Sequence, residues 1–313
     1  MAGSWQRLSG QTSQVLWLGA ATKAMEGSYR VVAANRDGTT VGQPMALYVS
    51  RDIYLGPRGW QAAISLQLTG AGGPVYQVEA RTNLVSWKSV GSLTTADTVL
   101  EFSDPSANGL SARFYRARSA QTGMIVSRTA AGFIELSFPY GFTMRCNQLL
   151  TGADTVGVLL KGLPDGTILY KYDHQQDVFS INPLDIYAWE RPQESFQPGE
   201  GIIIRNANID TYHVTLVGQV PEGRLVNHIP VGWSIQASPV PQAGRLDTVL
   251  GLSPARGDNI DRYITEQYDY EPHVSAGDGT CPIGGPPVID LGESFCIWTQ
   301  TETDWVRDFY TAQ

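Results

Sequence analysis

Two stretches of the chain gather aromatic rings beside carboxylates. In SINPLDIYAWERPQESF, residues 180–196, Tyr187 and Trp189 stand between Asp185 and Glu190. In EQYDYEPHVSAGDGTCP, residues 266–282, Tyr268, Tyr270 and His273 are interleaved with Asp269 and Glu271. Aromatic faces flanked by carboxylates suit sugar rings, and loops on a rigid scaffold commonly carry binding residues. The competing expectation is that these rings pack each loop against its own scaffold, since large aromatics are mostly buried. Carboxylates with carbonyls also suit Ca²⁺, yet no DxDxDG pattern is present.

Other chemistries find less support. There is no GxSxG elbow and no HExxH, so enzymatic activity is not expected and no catalytic residue is assigned. His174, His213, His228 and His273 are scattered, without a paired CxxC or HxxxH, which leaves no expected metal site and no cofactor. Cys281 and Cys296 lie 15 residues apart in a loop-rich region. A bond between them would close a loop worth roughly 3 kcal/mol, and the pair is a disulfide candidate. Cys146, in the alternating FTMRCN, reads as a buried free thiol.

Glycine-rich turns precede two apolar runs, PGEGIIIRN and IDLGESFCIW. A phosphate loop needs GxxxxGK followed by Ser or Thr and a helix. Here there is no lysine, and a β-branched strand follows. Gly199 and Gly292 are therefore expected to supply positive φ in a structural turn, with Glu200 and Glu293 accepting backbone hydrogen bonds inside it.

The elements that must position these residues are short strands. Gly 33 and Pro 18 are frequent in 313 residues, charged residues are only 17%, and 42% are apolar, which implies an all-β chain with a core and many turns. The length suits two to four domains. A net charge of −8 with no Lys/Arg cluster argues against nucleic acid as a partner. No apolar stretch approaches the roughly 20 residues of a membrane span. Residues 1–20 lack the pattern of a secretory signal, which leaves a cytoplasmic chain or one whose signal has been removed or lies upstream.

The segment EGSYRVVAAN, followed by an Arg36-Asp37-Gly38 turn, resembles the end of an immunoglobulin-like domain, with Glu26, Gly27 and Tyr29 leading into strand F. Val31 stands where that family has its cysteine, and the resemblance makes Trp5 the core tryptophan of strand C. Residues 1–52 then read as a partial domain, strands C to G, because only four residues precede Trp5. Either the chain is a fragment, or a strand from another molecule completes the sandwich. Residues 53–119 contain YQVEARTNLVSW and ARFYRAR, and resemble a fibronectin-III-like module of large secreted bacterial proteins. Trp87 is its expected plug and Tyr115 its anchor, with Arg113, Arg116 and Arg118 on a solvated face. Residues 120–131 read as a linker, to which MIVS could add a strand.

The remainder repeats itself. YGFTMRCNQLL and VGWSIQASPVP align at an offset of 91, pairing Gly141 with Gly232, Met144 with Ile235, Leu159 with Leu250 and Tyr172 with Tyr263. The Gly-Glu turns align at 93, as do Tyr212 and Trp305. Two copies of one unit follow, 132–220 and 221–313, forming a pseudo-twofold β-rich pair with short helices. In the first, Asp154 is expected to cap a helix burying Val156, Leu159 and Leu160; Leu246, Val249 and Leu250 are the counterparts in the second. The pair resembles tandem GWNLIS…LYKYD…PGEGYWI modules near the C-termini of large bacterial surface proteins, a family with no catalytic residues to carry over. The resemblance implies a non-catalytic structural or adhesive segment, extracellular or at the cell surface. Its partners would be the rest of a larger protein or other copies of itself, assembled into fibres by strand complementation. The alternative is a carbohydrate-binding region using the aromatic loops, with glycans as ligand.

Overall fold

A computed structural model describes residues 5–12, 16, 27–43, 45–47, 54–60, 64–69, 75–94, 99–127 and 129–311. It is all-β, with 52% strand and 3% helix in several antiparallel sheets. The chain divides into two compact units, 1–52 and 53–313.

In the first unit β1 (Gly27–Tyr29) pairs with β4 (Met45–Leu47), and β2 (Val32–Asn35) with β3 (Gly38–Val41). The β2–β3 turn follows from its sequence, because the Asn35 side chain accepts hydrogen bonds from the amides of Asp37 and Gly38 at 2.9 and 3.0 Å. Trp5 does not plug a core. It is 46% exposed with the Arg30 guanidinium 4.1 Å from its ring centre. Val31, at the family's cysteine position, is also exposed. Glu26 lies outside the described residues.

The second unit begins with β5 (Tyr54–Trp60), β6 (Ile64–Thr69), β7 (Val75–Arg81), β8 (Lys88–Thr94), β9 (Val99–Asp104) and β10 (Ala112–Ser119). Next come β11 (Ala131–Phe138), β12 (Gly141–Cys146), the one-turn helix α1 (Val156–Leu159), β13 (Ile168–Asp173), β14 (Val178–Asp185), β15 (Ala188–Trp189), β16 (Gly201–Asn206) and β17 (Tyr212–Gln219). Last are β18 (Gly223–Ile229), β19 (Gly232–Ala237), β20 (Gly244–Arg245), β21 (Asn259–Ile264), β22 (Asp269–Val274), β23 (Val288–Ile289), β24 (Ser294–Thr299) and β25 (Thr303–Phe309).

One sheet runs through the segment read as a linker. Its order is β17-β11-β10-β7-β8, so strands of the fibronectin-like stretch and of the first repeat share one hydrogen-bonded ladder. Within the linker the amides of Val126 and Ser127 both donate to the Ala117 carbonyl, fastening residues 124–127 beside β10. At the β10–β11 junction, a Cβ on Gly132 would lie 2.2 Å from the Arg113 carbonyl oxygen, so only glycine permits this approach. The shared sheet buries both faces. Val78, Tyr115 and Phe133 pack on one side with Leu66 of the β5-β6-β9 sheet. Ile134, Leu136, Phe138 and Leu216 pack on the other with Leu169, Ile202 and Ile204 of the first repeat.

Tyr115 does anchor its strand: fully buried, it donates from its hydroxyl to Asp104 at 3.0 Å. Of the three arginines expected on a solvated face, Arg113 and Arg116 are mostly buried, and Arg118 keeps 43% of its side chain exposed. Arg113 Nε lies 2.8 Å from Asp104, while Arg116 Nε donates to the buried Glu79 at 2.8 Å and stacks 4.5 Å from the Trp87 ring centre. Trp87 is half-buried, capped by that guanidinium. Arg116 also donates to the Thr311 carbonyl, joining the end of the chain to this module. Charge alone suggested solvent; the register set Glu79 opposite Arg116, and the facing β5-β6-β9 sheet brought Asp104 to Arg113.

Both repeats have one topology. The first forms β12-β16-β13-β14-β15 and the second β19-β24-β21-β22, so four strands follow in the same order and β15 has no counterpart in the second sheet. In the second, β18 pairs with β25 just as β11 pairs with β17 in the first. Val156, Leu159 and Leu160 are buried as the spacing predicted, but Asp154 caps nothing: Thr155 is the N-cap, and Asp154 accepts instead from the Thr151 amide and hydroxyl. In the second repeat Leu246 and Leu250 are buried and Val249 is 42% exposed.

Candidate functional site

The Gly-Glu turns are structural hubs. Gly199 and Gly292 have φ of 87° and 74°, and the glutamate that follows each closes the turn. Glu200 accepts from the Gln197 amide at 2.9 Å and Glu293 from the Asp290 amide at 2.7 Å. A cation at equivalent places on β13 and β21 neutralises each carboxylate. Lys171 reaches Glu200 at 2.5 Å, and Arg262 grips Glu293 with two bonds of 3.0 and 2.9 Å. Spacing alone could have revealed this, since 171 and 262 differ by the repeat offset of 91. Lys171 also contacts the Ser195 hydroxyl, but Val288 occupies the matching place in the other repeat, so the hydroxyl is not a shared feature of the motif.

The two repeats meet face to face around the same turns. The backbone of Arg145 forms a β-bridge with that of Glu293, and the backbone of Gln236 one with that of Glu200; these are the same contact with the partners exchanged. Gly201 and Ser294, equivalent at offset 93, touch each other, and a Cβ on Gly201 would lie 2.8 Å from that of Ser294. Exchange of equivalent contacts is what a twofold relation requires, so the duplication forms an isologous pair within one chain.

Aromatic residues border this junction. In the first repeat Phe142 lies against Tyr170, with ring centres 6.1 Å apart, and Tyr172 against Phe179 at 5.2 Å. In the second, Tyr263 meets Tyr270 edge-on at 5.1 Å. Tyr172 and Tyr263, like Phe179 and Tyr270, are repeat equivalents. A hydrogen bond to Asp177 pushes the Tyr172 phenol up to about 12, while burial and then Cys296 push Tyr270 up to about 12. Burial also raises the Asp261 carboxyl. At neutral pH both phenols are protonated, and can donate or accept hydrogen bonds.

The residues singled out in the sequence do not converge. Asp185, Tyr187, Trp189 and Glu190 surround the end of β14, whereas Tyr268 and Tyr270 open β22, a position equivalent to the start of β14. Tyr187 is 89% exposed, its amide held by Asp165 at φ +61°. Trp189 is only 6% exposed and belongs to the core. Asp185 and Glu190 are exposed. Tyr268, at φ +54°, leans over Gly141 of the other repeat. His273 is buried, with Nδ1 2.8 Å from the Gly285 carbonyl and Nε2 3.6 Å from Glu271.

The disulfide does not form. Cys281 and Cys296 are free thiols, as is Cys146. Cys296 sits mid-strand opposite Ile235 and Asp261, on the face between the repeats, and burial pushes its thiol up to about 12. Cys281 lies in the loop near Arg245 and Asp247, so short sequence separation did not bring the sulfurs together. Among the described residues no cluster of three or more His, Cys, Asp or Glu could hold a metal ion, and no helix is long and apolar enough to cross a membrane. No family model matches the chain, and a search of curated proteins returned no match.

Proposed function

We propose that this chain is a non-catalytic structural or adhesive segment of a bacterial cell-surface protein, built from immunoglobulin-like and fibronectin-III-like modules ahead of a tandem β repeat. The observation that carries the reading is the β17-β11-β10-β7-β8 sheet, which continues from one module into the next. Modules strung on flexible linkers transmit force poorly and move independently; a shared ladder, locked further by Arg116 on the Thr311 carbonyl, suits a stiff spacer. Calorimetry of the full chain with limited proteolysis tests the mechanical part: residues 53–313 are expected to melt as one cooperative unit. A separate transition for residues 53–119 would overturn it. Labelling of intact cells with a membrane-impermeant reagent tests the location.

A second reading, glycan binding, has support from the exposed rings at the junction of the repeats, Tyr270 at 43% and Phe179 at 48%. It moves the ligand from the loop around Trp189 to the sheet face. Glycan arrays with the wild-type chain and Tyr270→Ala test it. Binding lost in the variant supports it, and no binding by the wild type removes it.

A further inference from the structure

Strands β14 and β22 occupy the same edge of their two sheets, yet their sequences treat that edge in opposite ways. Residues 269–274 read DYEPHV, with two carboxylates and a proline, all devices that discourage a further strand. Residues 178–182 read VFSIN, with no charge and no proline, and Pro183 and Asp185 of β14 lie at its far end beside β15. Among the described residues β14 has β13 on one side and β15 only at Leu184 and Asp185 on the other. The edge from Val178 to Ile181 therefore has no strand beside it, and Val178, Phe179 and Ile181 are about half exposed.

The direction of the free backbone groups follows from the period of two. The Leu184 amide donates inward to the Thr167 carbonyl, while the Pro183 carbonyl accepts outward from the Glu190 amide. Counting back, Ile181 and Phe179 point their N–H and C=O groups outward, and Ser180 and Asn182 point inward.

We propose that β14 is a self-association edge, pairing antiparallel with β14 of a second copy about a twofold axis at Phe179; this rests on the structural-segment reading above. In this register Phe179 faces its mate as a hydrogen-bonded pair and Val178 faces Ser180, while Ile181 lies beside Asp177, where the mate's chain turns at φ +55°. No carboxylate meets another, which matters for a chain of net charge −8 whose copies otherwise repel. The same operation on β22 would set Tyr270 against its mate, Asp269 against Glu271, and Pro272, which has no donor, near the centre. Among the described residues both edges lack a neighbouring strand over most of their length, and the difference lies in what each would set against its own copy. A single short strand pair buries little area, so the association is weak and concentration-dependent.

Sedimentation of the full chain over a concentration series tests this, with Ile181→Pro, which deletes an outward donor, and Phe179→Lys, which places two like charges on the axis. The wild type is expected to dimerise reversibly, and each variant to weaken the dimer by about tenfold or more while keeping the wild-type circular dichroism. If Ile181→Pro fails to fold, Phe179→Lys decides. A wild type monomeric throughout, or variants that dimerise equally, overturns the proposal. A cooperative melt of residues 53–313 in such a monomer would leave the stiff-segment reading standing, so the two failures are distinguishable.

Discussion

The two repeats share a strand order, a Gly-Glu turn and a reciprocal interface, but they hold the turn differently. In the first, Glu200 is 30% exposed and is met by a lysine that it shares with Ser195. In the second, Glu293 is 8% exposed and is met by the two-pronged guanidinium of Arg262, with Glu271 and Asp290 nearby. The two cations are about equally buried, but the lysine is a point charge on a carboxylate that water still reaches, whereas the planar fork of Arg262 matches a carboxylate that is almost fully enclosed. A duplicated fold can thus retain a hydrogen-bonding role while the electrostatic stakes diverge with burial.

That difference predicts unequal losses. Glu293→Ala is expected to cost about 3 kcal/mol, because it removes both short bonds from a mostly buried guanidinium and leaves it Glu271 and Asp290 only at 3.6 and 3.7 Å. Glu200→Ala should cost about 1–2 kcal/mol, since Lys171 keeps the Ser195 carbonyl and hydroxyl as partners. Urea denaturation of both variants checks this, and equal losses would mean that burial does not separate the two turns.

The interface offers a second contrast. Gly201 and Ser294 are equivalents, but a Cβ at 201 would stand 2.5 Å from Ile235 Cγ2. Gly201→Ala is expected to cost about 1–3 kcal/mol through overpacking. Ser294→Ala should cost about 1 kcal/mol, the worth of the hydroxyl's bond to the Arg145 carbonyl. Thermal melts of the pair would show whether the axis is as tight as this geometry requires.

The smallest expected effect concerns Asp261, whose counterpart in the first repeat is Tyr170. Burial raises the Asp261 carboxyl, opposed by Asn259 and His273, so the folded chain holds that proton more tightly than the unfolded one. Its contribution is fully present below the unfolded carboxylate value and is lost as pH rises through the raised folded value. Asp261→Asn is expected to flatten stability against pH over that window. A pH series of melts that leaves the slope intact would assign it to another group.

Much of the architecture was legible in the residues. The β class, the tandem repeat and the turn roles of Glu200 and Glu293 follow from glycine placement, alternation and self-similarity, all of which are local or periodic signals. The candidate site was less legible. Tyr187 and Trp189 are two residues apart, yet one is fully in solvent and the other in the core, because the Asp185–Trp189 turn sends them in opposite directions. The cations of β10 looked like surface charge until Glu79 and Asp104 were seen beside them.

The sequence by itself determined the strands, the turns and the duplication, since each depends on neighbours along the chain or on a fixed offset. Only the tertiary structure decided which strands share a sheet across the linker, which face of each repeat meets the other, and which cysteines stay apart. Those outcomes depend on pairings between residues tens to more than a hundred positions distant. Alternation shows which side chains lie on the same face, but it does not show what covers that face.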